Sequence, residues 1–131
     1  MARPRHEHPT PAELEVLKIL WRCGELSVRD VLESLDPGRR RAYTSVMSLL
    51  NVMADKGLVS RRPSGRAFLY RARADRKKTF RSMVGDLLRR AFEGSAATLV
   101  ANLLDETKPT REELAQIRSV IHAYGESEVR K

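Results

Sequence analysis

At 131 residues, with Cys23 as its single cysteine and a formal charge of +8, the chain is sized for one domain, or one small domain plus an assembly segment. A disulfide framework and a thiolate metal cluster are excluded. No apolar run approaches the roughly 18 residues of a membrane helix, and MARPRHEHPT at the amino end lacks the apolar core of a signal peptide, so a cytoplasmic, reducing location without membrane insertion is expected.

The charge is unevenly spread. Residues 1–78 carry 17 Lys and Arg against 9 Asp and Glu, whereas residues 79–131 carry 8 against 8. A polyanion partner is expected for the first part and a neutral task for the second. A membrane surface could also attract this charge, but the later helices have no lysine-rich amphipathic face to lie on lipid, and the seven aromatic residues form no stacking platform for single strands. No nucleophile–base pairing, Gly-rich phosphate loop or metal-ligand spacing stands out, so an enzyme is not expected and no catalytic, metal or cofactor residue is assigned.

Residues 1–9 are polar, contain two prolines and read as a loose arm. His6-Glu7-His8 has metal-ligating residue types, but no further His or Cys nearby to complete a site. Thr10-Pro11-Ala12-Glu13 is a capping box with proline at the first helical position. The helix it opens turns Leu14, Val16, Leu17, Leu20 and Trp21 inward and ends at Gly24. Glu25-Leu26-Ser27 suits a short extended piece. Ser27 then caps a second helix with Val28, Val31, Leu32 and Leu35 in its stripe, stopped by Asp36-Pro37-Gly38.

Arg39, Arg40 and Arg41 lead into a third helix, in which Val46, Leu49, Leu50 and Met53 fall at i, i+3, i+4 and i+7. Thr44, Ser48 and Asn51 lie on the opposite side, and Gly57 suits a left-handed cap. Small hydroxyl and amide side chains on a helix packed from behind suit close approach to base edges in a major groove. A merely solvated face would favour the better helix formers Glu and Lys. Helix, short piece, helix, basic turn and helix are compatible with a helix-turn-helix.

Beyond Gly57, Ser64-Gly65 is a hairpin turn signal, with Phe68 and Tyr70 alternating with Leu69 and Arg71. The hairpin carries Arg61, Arg62, Arg66, Arg71 and Arg73, and no acid occurs from Leu58 to Ala74. A soluble edge hairpin blunted by charge is the plainer reading, but such edges usually mix signs. An arginine-rich hairpin after a candidate recognition helix is the outline of a wing that touches DNA phosphates.

The neutral part holds three amphipathic helices. The first has Phe80, Met83, Val84, Leu87, Leu88 and Ala91 in its stripe and is closed by Gly94. The second is capped by Ser95, with Leu99, Val100, Leu103 and Leu104 inward. The third opens on Thr110 and Glu113, with Leu114, Ile117, Val120 and Ile121 inward. Three such helices are too short a segment for a well-buried core of their own, so their apolar faces need a partner, either the winged domain or a second copy, and a second copy suits a dimer that reads a palindromic site. The expected fold is mostly α with a small β-wing: an arm (1–9), a winged helix-turn-helix domain (10–75), a helical dimerisation region (76–125) and a tail (126–131). Dimer contacts are expected from Phe80, Val84, Leu87, Leu88, Leu99, Leu103, Leu114, Ile117 and Ile121. The competing readings are a winged-helix adaptor that binds an acidic protein, and a non-specific architectural DNA-binding protein.

The run Ala42-Tyr43-Thr44-Ser45-Val46-Met47 through Lys56-Gly57-Leu58-Val59 resembles the winged-helix repressors of the penicillinase and methicillin-resistance systems, BlaI and MecI. So do Leu14 to Trp21, the wing ending at Phe68-Leu69-Tyr70, and Phe92-Glu93-Gly94-Ser95 followed by Leu99-Val100. The resemblance spans roughly residues 10–122. It implies a homodimeric repressor on an inverted-repeat operator, of β-lactam-response type. By likeness, base readout falls to Tyr43, Thr44, Ser45 and Ser48, while Arg41, Arg62, Ser64 and Arg66 hold the backbone. It also implies induction by a regulatory protease that cuts after Asn102, before Leu103, where the best-known members have phenylalanine. From periodicity alone, Asn102 is a polar residue on the exposed side of its helix. The cysteine cluster of the copper-responsive branch is missing.

Overall fold

Proline at the first helical position and a reciprocal Thr10–Glu13 capping box start helix α1 (Pro11–Cys23) where the sequence places it. The computed structural model describes residues 8–35 and 42–129, with side chains through 127. After α1 come β1 (Leu26–Ser27), α2 (Val28–Ser34), α3 (Tyr43–Lys56), β2 (Val59–Ser64), β3 (Ala67–Ala72), α4 (Arg76–Phe92), α5 (Ala96–Thr107) and α6 (Arg111–Val129). The Asp36-Pro37-Gly38 stop and the three arginines before α3 lie outside the described residues. No described helix is long and apolar enough to cross a membrane.

The strands form one antiparallel sheet in the order β1-β3-β2. Ser64 pairs with Ala67, so the two loop residues are Gly65 and Arg66, one position later than the Ser64-Gly65 turn expected from sequence. Gly65 has a φ of 62°. Positive φ at the first loop position is the demand of the hairpin turn that glycine meets best there. The result, helices α1 to α3 packed on one face of a small sheet with a projecting hairpin, is a winged helix.

The chain divides into two compact units, Met1–Asp86 and Leu87–Lys131. The division falls inside α4, where the sequence placed it before that helix. The first unit owns the core: Val16, Leu17, Ile19 and Leu20 of α1, Val28 and Val31 of α2, Leu35, Val46, Leu50 and Met53 of α3, and Val59 and Tyr70 of the hairpin. Leu14 and Trp21, expected inward, are half-buried at the margin. The Trp21 indole N–H donates to the Ala74 carbonyl at 3.0 Å, and its ring meets Phe80 edge-on at 5.6 Å. Trp21 thereby pins the start of α4 to the winged unit, and Phe80 serves a contact within its own chain. His8 and Pro9, expected in a loose arm, are held: Pro9 is buried, and His8 Nε2 lies 3.0 Å from Asp86 Oδ2.

In the second unit no described residue is buried. Ser95 caps α5 by accepting from the Thr98 N–H at 3.2 Å, and Thr110 accepts from the Glu113 N–H at 3.1 Å at the start of α6. The helices are locally well specified, yet they lack a core of their own.

Candidate nucleic-acid interface

Helix α3 is buried along Val46, Leu50 and Met53 and open on its far side. Tyr43, Thr44, Ser45, Met47, Ser48 and Val52 are all exposed. Thr44, Ser45, Ser48, Leu49 and Val52 line one shallow concavity on this face, so three of the residues expected to read bases share a surface. Its amino-terminal half is hydroxylic and its carboxy-terminal half apolar. That mixture suits base edges, which offer hydrogen-bonding groups together with the thymine methyl. Tyr43 stands at the head of the helix with the Arg29 guanidinium of α2 5.9 Å from its ring centre. No described side chain caps the amino end of α3, and the amino end of a helix is a favourable place for an anion. Arg41 lies outside the described residues.

Asn51 differs from its expected role as a member of the open row. Its Oδ1 accepts hydrogen bonds from Arg61 Nη1 and from the Tyr70 hydroxyl at 3.1 Å. The side chain that sequence placed toward solvent therefore joins α3 to the hairpin.

Strand alternation sorts the wing arginines by face. Val59 and Arg61 share a face with Tyr70, the register partner of Arg61, and Val59 and Tyr70 are in the core, so this is the α3 side. The Arg61 guanidinium lies 5.1 Å from the centre of the Phe68 ring. Ser60, Arg62 and Arg71 point the other way. There Arg62 donates from Nε and Nη2 to the two oxygens of Glu25, at 2.8 and 2.9 Å. Hydrogen bonding from Arg62 holds the Glu25 carboxyl below its ordinary value against the opposing effect of burial, and the charges of Arg62 and Arg71 add to it. Glu25 thus supplies the acid missing from the hairpin's own sequence. Ser64 and Arg66 are exposed at the tip.

Sequence reading named Arg61 only as one of the wing arginines, without separating it from Arg62, and missed Arg29 and the anchoring role of Asn51. For Arg61 the signal was present: counting by twos from the apolar Val59 puts residue 61, and not 62, on the inner face. For Arg29 and Asn51 there was none, because their partners come from other elements.

Val84, Leu87, Leu103 and Ile121, expected at a dimer contact, are exposed, and Leu88, Leu99, Leu114 and Ile117 are half-buried. Val120 and Tyr124 extend the apolar stripe of α6 and are 69% and 68% exposed. Asn102 is exposed, and its Nδ2 donates to the Thr98 carbonyl at 2.9 Å. The Asn102–Leu103 bond lies in the middle of α5.

The sequence profile of the penicillinase repressor family matches residues 9–123. The chain is 22% identical over 113 residues to the penicillinase repressor of Bacillus licheniformis, covering 86% of this chain and 88% of that protein. It is 18% identical over 111 residues to the methicillin resistance regulatory protein MecI of Staphylococcus aureus strain N315, covering 85% and 90% respectively. Among solved structures, the crystal structure of the YusO protein from Bacillus subtilis matches with a TM-score of 0.52 at 20% identity, over 89% of this chain and 74% of that one, a likeness of fold alone. A family profile that runs through both units, on a winged helix with an open hydroxylic α3 face and an arginine-rich hairpin, means that the chain belongs to the penicillinase repressor family of winged-helix DNA-binding transcriptional repressors.

Proposed function

We propose that the protein is a homodimeric, sequence-specific repressor that occupies an inverted-repeat operator and blocks transcription from it. The observation that carries this reading is the exposed Thr44, Ser45 and Ser48 surface of α3, which a packed core holds from behind. Each protomer lays α3 in a major groove, with Tyr43 and these hydroxyls at base edges. Ser64, Arg66 and the residues leading into α3, Arg41 among them, hold phosphates and make affinity fall steeply with salt. The exposed apolar faces of α4 to α6 join two protomers. Pairing supplies the affinity that one winged unit lacks, because the second half-site binds at the high effective concentration set by the first.

Induction then acts on the same helices. A cut at Asn102–Leu103 by a regulatory protease would divide α5 and with it the dimer surface. Because that bond sits mid-helix, α5 must open locally before a protease can bind it in extended form.

The test is nuclease protection of the DNA upstream of the protein's own gene, at two salt concentrations, with the Ser48→Ala variant alongside. Protection of an inverted repeat by two protomers, weakened at high salt, is expected. Ser48→Ala should lose affinity for that site and leave random duplex unchanged. Equal, weak binding of every duplex would instead support a non-specific architectural role.

A further inference from the structure

We infer that Arg61, rather than Arg62, is the strand cation of the wing that grips a DNA phosphate beside α3, and that Asn51 is the residue that positions it. The inference rests on the DNA-binding reading above and makes a choice among the wing arginines that the sequence left open, together with a positioning residue it did not assign.

Asn51 follows Thr44 by seven residues and Ser48 by three, so it continues their row on the helix. At 1.5 Å per residue it stands about 10 Å along the axis from Thr44. The Arg61 guanidinium, bonded to Asn51 Oδ1, is therefore held at the carboxy-terminal end of the reading row. A recognition helix contacts bases chiefly through its amino-terminal residues, and its later turns run out toward the sugar-phosphate backbone. A cation fixed there meets phosphate rather than a base.

Three further features fit that role. The bond to Asn51 uses one of the five N–H donors of a guanidinium. The Phe68 ring supports the cation without neutralising it. Asn51 is itself fixed by the Tyr70 hydroxyl, whose ring is buried in the core, so the cation is preorganised by the same packing that orients α3. Arg62 contrasts on each count. It lies on the opposite sheet face, and its guanidinium is engaged by both carboxylate oxygens of Glu25. A charge already compensated has fewer counterions to exchange on binding.

The experiment is the salt dependence of affinity for a duplex that the wild-type full chain binds. Arg61→Gln should make the slope of log K against log salt shallower by about 1 per protomer, equally on cognate and random duplex. Arg61→Lys should retain the slope, and Arg62→Gln should change it by less than half as much. Asn51→Ala should weaken binding when Arg61 is present and add nothing when it is already Gln, a coupling that a purely structural role for Asn51 would not produce. Thermal melts of each variant ensure that binding is measured on folded protein. An unchanged slope in Arg61→Gln, equal losses at 61 and 62, or additive effects of 51 and 61 would overturn the assignment. Failure of the wild type to bind any duplex would remove the DNA reading itself, and is told apart by that control.

Discussion

The Glu13 carboxylate has two tasks. One oxygen accepts the Thr10 backbone N–H at 3.0 Å and closes the capping box of α1. The other accepts from the Lys56 ammonium at 2.7 Å, at the last turn of α3. The side chain is only 3% exposed. Burial pushes its pKa up, but the Lys56 hydrogen bond, the Thr10 N–H and the Lys56 charge together outweigh burial and hold it below the ordinary 4.5. The unfolded chain therefore binds more protons than the native one in the acidic window, and stability rises with pH there. The contribution is complete above 4.5 and disappears as pH falls through the lowered native value. Glu13→Gln keeps a cap acceptor and removes the charge. It should cost about 1–2 kcal/mol at neutral pH, and the gap to wild type should close as the solution is acidified. Urea unfolding over a pH series measures this. A gap of constant size would show that shape, not charge, is what Glu13 provides.

At the scale of the element, α3 depends on how it ends. Gly57 has a φ of 84° and a ψ of 11°, its N–H donates to the Ala54 carbonyl at 3.1 Å, and the Leu58 N–H returns to Met53 at 2.9 Å. A Cβ at position 57 would meet nothing within 4 Å, so the cost of a side chain is backbone strain alone. Gly57→Ala should lower stability by about 1 kcal/mol, and Gly57→Asn by less, since asparagine tolerates the left-handed region. Denaturant midpoints decide it. Equal losses for Ala and Asn would point to a steric cause that the open surroundings argue against. Because the cap closes the helix just before β2, the same variants report how firmly the hairpin is tied to α3.

At the scale of the whole molecule, the two units differ in what they have finished. The winged unit has a closed core and an excess of positive charge. The carboxy-terminal helices have apolar stripes and no buried residue among those described. Leu103 and Ile121 are 49% and 58% exposed, so an aspartate at either position disturbs little within one protomer. The double variant Leu103→Asp, Ile121→Asp should sediment as a monomer, keep the melting transition of the winged unit, and bind operator DNA at least about ten-fold more weakly through lost avidity. Retention of a dimer by that variant would remove α5 and α6 from the proposed interface.

What could be read from the sequence was local. Thr10, Ser27, Ser95, Gly57 and Gly65 state their roles within a few residues, because caps and turns are satisfied by neighbours in the chain. The 3.6-residue spacing of Val46, Leu50 and Met53 determined the buried side of α3, and so its open side with Thr44 and Ser48. The charge asymmetry pointed to a polyanion before any fold was known. Only the tertiary structure decided which polar groups meet. Glu13 finds Lys56 across 43 positions, Glu25 finds Arg62 across 37, and Asn51 is drawn from the open row to Arg61 and Tyr70. Arg61 and Arg62 are chemically the same and adjacent in sequence, yet the pleat sends one toward α3 and the other to an acid from β1's approach. Side-chain periodicity is a property of each element alone, whereas the partner of a charge depends on the order and register in which elements pack, and that is set by burying the core.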